Sequence, residues 1–484
     1  MFQLETDVLI VGGGVVGAAL ARELSRYRLR VALAEQEADV AFGTSKANSG
    51  IVHSGIHDHP GTLKARLCVR GNALYPALAA ELNFLYRKNG SVVIARDEAE
   101  LSALDHLAEQ GKANGVPDFR RIGPDELYRL EPNLAPGLAG ALLAPSGGIV
   151  IPFDLVFALV ENAVANGVQL MLGTTVLRIH QASDGLIAET NRGSIHTRYL
   201  INAAGVSAAA IAALVGDDSF AIQMIKGEEY LLDRKLQGLV ERTIFPLPTA
   251  ISKGILVMPT VEGNIMIGPT AHEVNDRGDL ATSRRGWEEV YAEVKTLVPA
   301  LRPNDLITSF AGLRAASDRD DFIIEPSQVT PRLIHAAGIK SPGLTATPAI
   351  AEYIVALLGE AGLELTPNPR FNPERPLTRL RNLEPAAQTK LMAEQPEYAK
   401  IVCRCELVSE GEIRDAIRRG ATTVDGVKLR TRSGMGRCQG GFCTPRIIQI
   451  LSEMQGMPPE TVTKKGLGSP LVIGKLREAR GELR

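Results

Sequence analysis

The sequence predicts an α/β dinucleotide-binding fold of the Rossmann type, interrupted by an α+β portion built on a mixed sheet. A small helical domain carrying a cysteine cluster follows it. Three observations predict this. A strand, a glycine turn, a helix, a second strand and an acid open the chain in that order. Two later stretches leave this rhythm for polar loops and paired short strands. Four of the five cysteines stand beyond residue 400.

Residues 7–11 (Asp-Val-Leu-Ile-Val) read as a short buried strand, followed at once by Gly12-Gly13-Gly14-Val15-Val16-Gly17 and a helical run over 18–27. Gly12 permits a tight turn, Gly14 lets backbone approach a pyrophosphate, and Gly17 lets helix and strand pack closely. The helix N-terminus supplies unpaired N–H groups to the phosphates. Residues 30–35 form a second strand ending at Glu35, at the spacing of a ribose hydroxyl ligand. FAD and NAD enzymes share this fingerprint. The loop at 43–55 is polar and punctuated by glycine, where a nicotinamide dehydrogenase continues with regular βα units. Residues 199–205 and 333–338 read as further buried strands ending in small residues at Gly205 and Gly338, with a helix from about Pro348. Such junctions let backbone approach a large ligand. Residues 169–179 read as one strand.

At 484 residues the chain has room for about three domains. Its 45% hydrophobic and 22% charged residues are ordinary for a globular protein, and a net charge of −2 gives no reason to expect a nucleic-acid partner. The first residues lack the basic start and apolar core of a signal peptide. No apolar run approaches the roughly 20 residues of a membrane span. A cytoplasmic protein is expected, in which clustered cysteines are metal ligands or redox groups more often than disulfides.

Several ordered motifs carry a family resemblance over roughly residues 5–360. They are Thr44-Ser45-Lys46-Ala47-Asn48-Ser49-Gly50 with Pro60-Gly61-Thr62-Leu63-Lys64-Ala65, residues 147–152, 252–257 and 264–270, Phe310-Ala311-Gly312-Leu313-Arg314, and Gly338-Ile339-Lys340-Ser341-Pro342-Gly343-Leu344-Thr345. With them the chain resembles FAD-dependent oxidoreductases of the D-amino-acid oxidase-like superfamily. Within that superfamily it looks like the branch of anaerobic glycerol-3-phosphate and L-2-hydroxyglutarate dehydrogenases. The resemblance implies FAD, with its pyrophosphate at Gly12, Gly14 and Gly17, its ribose at Glu35 and its adenine near Val176. The flavin would lie along Thr44, Ser45, Asn48, Ser49 and Gly50 and along Gly338, Ser341, Gly343, Leu344 and Thr345, with Gly205 and Gly312 among the cofactor contacts. Lys340 departs from the pattern, which leads one to expect an acid there. The implied domains are an FAD-binding domain (1–75, 146–220 and 315–362), a substrate domain (76–145 and 221–314), a linker (363–398), a [2Fe–2S] domain (399–465) and a tail (466–484).

In the substrate half, residues 255–259 and 264–268 read as paired strands around Glu262-Gly263, building a sheet that would roof the flavin. Arg314, two residues after Gly312, is placed to grip a carboxylate or phosphate. Lys253 and Lys226, each beside a glycine, read equally as anion ligands or as solvated lysines. Three of the eight histidines, His53, His57 and His59, fall within seven positions. His53, inside the matched loop, is the expected base for an alcohol proton; His57 and His59 sit in a polar stretch and read as exposed. Cys68, in an apolar helical run, reads as a buried small hydrophobe.

Residues 365–398 are rich in proline and read as a semi-stiff spacer with a short polar helix at 386–394. Then come Cys403-x-Cys405 and Cys438-x4-Cys443, with a capping-box helix start at Ser409-Glu-Gly-Glu412, a stop at Gly420, and a second helix from about 441–445. Four such thiolates suit either an iron–sulfur cluster or zinc. Lys428, Arg430, Arg432 and Arg437 would offset the charge of a cluster, and Gly434 and Gly436 would bring N–H groups to its sulfurs. Over about 60 residues this segment resembles the bacterioferritin-associated-ferredoxin-like [2Fe–2S] domain.

The expected activity is oxidation of a small anionic secondary alcohol, glycerol 3-phosphate or a 2-hydroxy acid such as L-2-hydroxyglutarate. Hydride passes to FAD, and electrons leave through the [2Fe–2S] cluster to an acceptor protein or partner subunit. The same fold also serves amine or amino-acid oxidation, and a non-catalytic electron-transfer module is a third reading.

Overall fold

In the computed structural model, which describes residues 2–248 and 253–474, the opening apolar run closes a ten-residue strand, β1 (Phe2–Val11). Ser252, within a matched segment, and residues 475–484 of the expected tail lie outside the described residues. The chain turns through the glycines into α1 (Val15–Leu24) and returns as β2 (Val31–Ala34), parallel to β1. Val8, Leu9, Ile10 and Leu33 are fully buried, as strands covered on both faces require. Gly12 has φ +112°, and a Cβ there would stand 2.4 Å from the Ala203 carbonyl oxygen, so glycine alone lets the turn pass the end of the next strand.

Further along lie α2 (Leu63–Leu82), β3 (Gly193–Asn202), β4 (Ile222–Leu232), β5 (Leu306–Ser317), β6 (Leu333–Ala337) and α3 (Gly343–Glu360). Two large sheets divide these strands. The first holds eight strands among the described residues, and its parallel part runs Gln169–Met171, β2, β1, β3, β6. Val176–Gln181 and Leu186–Thr190 extend it antiparallel from the first half of β3, and Ile323–Pro326 pairs antiparallel with β6. The single strand expected over 169–179 is therefore two. Gly173, at φ +61°, turns the chain, and the two halves end on opposite edges of the sheet.

The second sheet holds nine strands among the described residues and is mixed, because Thr243–Phe245 runs parallel to Ser91–Ala95 while its other pairs are antiparallel. β4 lies beside β5 along its whole length, with Gly227 opposite Gly312. Leu256–Pro259 and Ile265–Gly268 pair around the predicted turn. Alternation sends Val92 and Ile94 to one core and Val93 and Ala95 to the other, so both faces of this sheet are covered.

α3 begins five residues before Pro348, where the sequence places its start. Proline lacks the N–H that would reach the Leu344 carbonyl one turn back, and the Tyr75 hydroxyl of α2 donates to that carbonyl instead (2.6 Å). The apolar helical run holding Cys68 is α2, and Cys68 is fully buried.

The proline-rich stretch divides at Arg375. Ahead of it, the Arg28 N–H donates to the Thr366 carbonyl (2.9 Å) and Asn162 Nδ2 to the Asn372 carbonyl (3.0 Å). Buried Arg375 binds Glu161 (2.8 Å) and Asp154 (3.4 Å), so residues 366–375 are a strap on the first unit rather than a spacer.

The second unit comprises Glu35–Val40 and the chain from Pro376 onward. The polar helix forms at Pro385–Glu394. A short hairpin, Ile401–Cys403 with Val408–Ser409, leads into α4 (Glu410–Arg418), α5 (Val424–Thr431) and α6 (Thr444–Gln455). The predicted capping box is present: Ser409 Oγ accepts from the Glu412 N–H (3.2 Å), and Glu412 Oε2 accepts from the Ser409 N–H (2.8 Å). Ile413, Val427, Ile447 and Leu451 fill a small core between the helices. Within this unit the Arg430 guanidinium grips Asp39, with Nη2 to Oδ1 at 2.9 Å and both side chains almost wholly buried.

Replacing Arg375 with Met leaves Asp154 and Glu161 buried without this cation. Removing one partner of a buried ion pair costs about 3–5 kcal/mol, so urea unfolding of the first unit is expected to show a loss of that size. A loss below about 1 kcal/mol contradicts the strap.

Candidate active site and cysteine centre

The first group of sequence-predicted residues gathers around the turn from β1 to α1. Gly14 is the N-cap of α1, and Gly17 packs against the Gly12 carbonyl, where a Cβ would stand at 2.0 Å. Ser45 Oγ accepts from the Val15 N–H (2.9 Å), bringing the downstream loop to the helix N-terminus. Residues 44–50 are tightly built. Thr44 Oγ1 donates to the Leu313 carbonyl (2.6 Å), and Gly312 leaves room for the Ala47 carbonyl, which a Cβ would approach to 2.2 Å. Asn48 Nδ2 donates to the Ser45 carbonyl (2.8 Å), and its Oδ1 accepts from the Gly50 N–H (2.9 Å).

Gly205 follows β3 at φ +56°, with open space where its Cβ would be. Gly338 follows β6, and Ser341, Gly343, Leu344 and Thr345 form the turn and first residues of α3. Val176 is buried with Val11 and Ala34. Glu35 comes directly after β2 and accepts from the Glu37 N–H (2.9 Å). A dinucleotide fits the turn: Gly12 and Gly17 exclude a Cβ, and a helix N-terminus and an open glycine junction border it.

His53 is held from three sides. Its N–H donates to Thr345 Oγ1 (2.8 Å), its carbonyl accepts from Asn72 Nδ2 (2.9 Å), and its Nε2 lies 3.2 Å from Ser341 Oγ. Burial pushes its pKa well below the usual 6.5, and the charges of Lys253 and His57 act in the same direction. The ring is therefore a neutral base at physiological pH.

His57, read from sequence as exposed, is half-buried against Phe245, with ring centroids 4.8 Å apart, and both its nitrogens are out of solvent. His59 is exposed as expected. Lys253 acts on both rings, and Arg314 and Lys340 belong to the same cationic group. Lys253 Nζ lies 3.4 Å from Asp58 Oδ1. Arg314 extends across Gly227, where a Cβ would stand 2.4 Å from its guanidinium, and donates from Nη1 to the Thr270 carbonyl (3.2 Å). Lys340, the departure from the family pattern, has its pKa lowered by burial and by Lys64, with Lys253 and Arg314 adding to the effect. Lys226 is no anion ligand: it is buried and paired with Asp279 (2.8 Å).

Sequence reasoning missed Glu229. Ser49 Oγ donates to its Oε1 (2.5 Å), and burial raises its pKa to about 7, while Ser49 and Arg314 pull it down. The signal available was Glu228-Glu229 inside an apolar strand: alternation places one acid on each face, and the sheet buries both.

In the second unit Cys403 ends the first hairpin strand and Cys405 lies in the following turn, while Cys438 precedes α6 and Cys443 is its N-cap. Cys405 Sγ and Cys438 Sγ are 3.6 Å apart, far beyond a disulfide bond. A hydrogen bond from Cys443 brings the Cys403 pKa down to about 5 against burial, aided by the N–H groups of Gly434 and Glu406. Burial works to raise the Cys438 pKa, but the Cys405 thiol and the N–H groups of Gly440, Phe442 and Gly441 prevail and lower it. Among the described residues no three histidine, cysteine or carboxylate side chains are arranged to hold a single ion. Thiols standing as two couples suit a two-iron cluster better than one tetrahedral zinc.

The cations expected to offset the cluster are largely engaged elsewhere. Arg430 binds Asp39, and Arg432 Nε donates to Glu406 Oε2 (2.9 Å), because buried carboxylates need a partner. Lys428 is half-buried and close enough to Cys443 for their charges to interact.

A dinucleotide cradle beside a neutral histidine among cations, on a chain that also bears a thiolate centre, defines a redox enzyme with two carriers. Residues 7–357 match the family described as FAD dependent oxidoreductase, and residues 401–453 match the BFD-like [2Fe-2S] binding domain. The chain belongs to the FAD dependent oxidoreductase family, and its cofactors are FAD and a [2Fe–2S] cluster. It is 41% identical over 471 residues to the glycerol 3-phosphate dehydrogenase of Caloramator mitchellensis, covering 97% of this chain and 98% of that protein. It is 30% identical to the L-2-hydroxyglutarate dehydrogenase of Indibacter alkaliphilus, over 72% of this chain and 97% of that one. Among solved structures, dithionite-reduced L-alpha-glycerophosphate oxidase from Mycoplasma pneumoniae with FAD bound superposes with a TM-score of 0.74 at 32% identity, covering 78% and 99% of the two chains. Among the described residues no helix is long and apolar enough to cross a membrane.

Glu229 has a folded-state pKa above the usual 4.5, so its stabilising contribution is complete below pH 4.5 and is lost as pH rises through about 7. Glu229→Gln is expected to remove that dependence and to be more stable than wild type at pH 8, by on the order of 2–3 kcal/mol relative to their difference at pH 4.5. Thermal midpoints from pH 4.5 to 8 check this; parallel curves for the two proteins contradict it.

Proposed function

We propose that this enzyme oxidises glycerol 3-phosphate at its secondary hydroxyl, with a compact 2-hydroxy acid as the second-choice substrate. The observation that carries the reading is the grouping of Arg314, Lys253 and Lys340, each within electrostatic reach of another, with Lys253 also acting on the half-buried, neutral His53. Three cations in a partly desolvated pocket match a doubly charged phosphate. The 41% identical relative is a glycerol 3-phosphate dehydrogenase and the FAD-bound solved structure a glycerophosphate oxidase, and both support the same choice.

FAD, held by Gly12, Gly14 and Gly17, Glu35, Val176, Gly205, Gly312 and the loops at 44–50 and 338–345, supplies a two-electron acceptor, and the cluster on Cys403, Cys405, Cys438 and Cys443 supplies a one-electron carrier. The chain's own side chains do the rest. Arg314, with its planar fork braced on the Thr270 carbonyl, holds the anionic group, and Lys253 and Lys340 add charge. His53 takes the hydroxyl proton on Nε2, whose present neighbour is the Ser341 hydroxyl. The hydride leaves carbon as that proton leaves oxygen. Electrons continue from the chain to a separate acceptor protein.

Anaerobic addition of glycerol 3-phosphate is expected to bleach the flavin absorbance of the holoenzyme, and absence of bleaching overturns the substrate assignment. His53→Asn is expected to slow bleaching by about 10²–10⁴-fold and to remove the acid limb of the wild-type rate profile, which lies below pH 6.5; an unaltered limb excludes His53 as the base. Cys443→Ser is expected to lose iron–sulfur absorbance and electron delivery to one-electron acceptors while bleaching by substrate persists. Loss of all three together contradicts separate roles for the two carriers.

A further inference from the structure

His57 has no role in the chemistry above, yet it occupies the same wall as the base. Its ring stands 6.2 Å from that of His53, and both rings lie against Phe245. Neither His57 nitrogen has a hydrogen-bond partner among the described residues, and both are out of solvent. The next residue is engaged instead: Asp58 Oδ1 faces Lys253, and its carboxylate also meets the Cys68 thiol. Buried polar atoms in native proteins are almost always satisfied, so two unmade bonds on one ring require an account.

The surroundings narrow what would satisfy them. A neutral imidazole carries one donor and one acceptor. Burial keeps the ring neutral, and the charge of Lys253 acts in the same direction. An anionic group has Arg314, Lys253 and Lys340 to bind it, whereas a ring that both donates and accepts complements a hydroxyl, which does the same. With a hydrogen bond of about 2.8 Å at each end, rings whose centroids stand 6.2 Å apart leave room for each to face one of two hydroxyls on adjacent carbons.

We infer that His57 is a substrate-binding residue that reads the second, non-reacting hydroxyl of a glycerol phosphate, setting the preference for a diol phosphate over a substrate with a bare methyl at that end. This rests on the proposed alcohol substrate. A site built to hydrogen-bond a hydroxyl discriminates strongly against the analogue that lacks it, because its own polar atoms are otherwise left unmade.

The test compares anaerobic flavin reduction of the holoenzyme by glycerol 3-phosphate and by 1,2-propanediol 1-phosphate, which retains the secondary alcohol and phosphate but lacks the terminal hydroxyl. Wild type is expected to favour the former in kcat/KM by about 100-fold or more. His57→Phe keeps an aromatic ring against Phe245 and removes both polar atoms; the ratio is expected to fall below about 5-fold, chiefly through the glycerol 3-phosphate KM. His57→Leu gives the same reading if the phenylalanine overpacks the site, and His57→Asn, which keeps a donor and an acceptor, is expected to retain part of the preference. The acid limb assigned to His53 is still present in all three. A ratio unchanged in the Phe and Leu variants, or a wild type that does not discriminate, overturns the role of His57 and leaves the alcohol reading standing. A wild type reduced by neither compound overturns both.

Discussion

Three hydroxyl groups in one short loop tie the catalytic unit together. Thr44 reaches β5 at the Leu313 carbonyl, Ser45 reaches the first turn of α1, and Ser49 reaches Glu229 on β4. The first of these contacts joins residues 269 positions apart and sets the distance between the two large sheets at the site. Gly312 is its steric counterpart, since any side chain there would strike the Ala47 carbonyl. The loop continues through Ile51–Val52 to His53, so the base inherits its position from the same contacts. A cofactor cradle on one sheet and an anion-binding arginine on the other can work on one molecule only if this seam is fixed.

Burial then decides the charge state of what the seam brings together. Desolvation pushes His53 and His57 toward neutrality, and the charge of Lys253 acts in the same direction on both. Glu229 moves the opposite way, toward its neutral acid form, although Arg314 opposes the shift. Near neutral pH Arg314 is therefore only partly balanced by Glu229 in a largely dry environment. That is costly for a free protein and favourable once an anion arrives. The arrangement favours binding over stability, as functional sites commonly do.

Local chemistry made much of this legible in the sequence. The glycine fingerprint, the capping box at Ser409 and the hairpin around Glu262-Gly263 depend on residues within a few positions of each other, and each stands where the sequence puts it. The misreadings have distant causes. Pro348 looks like a helix start until Tyr75, far earlier in the chain, satisfies the carbonyl that proline leaves free. His57 looks exposed beside Asp58, His59 and Pro60, but Phe245 covers it from another strand. Lys226 looks available until Asp279 binds it. In each case the deciding partner is a tertiary contact that no periodicity or spacing encodes.

The cysteine unit shows the same limit in its electrostatics. Its basic residues suggest a cationic nest for a negatively charged cluster, yet Arg430 and Arg432 bind Asp39 and Glu406 and contribute little net charge. Beside the partner thiols of Cys443 and Cys405, what stabilises thiolates are backbone N–H groups: those of Gly434 and Glu406 at Cys403, and those of Gly440, Gly441 and Phe442 at Cys438. Such donors cannot titrate or be lost by substituting a side chain. Cluster potential in proteins of this kind responds to hydrogen bonds at sulfur as well as to net charge. Here the fold fixes the first, through turns with Gly434 and Gln439 in the left-handed region, while ion pairing mutes the second. Changes to Arg430 or Arg432 should therefore act on the stability of the unit more than on its potential, because their charges are already balanced by the acids they bind.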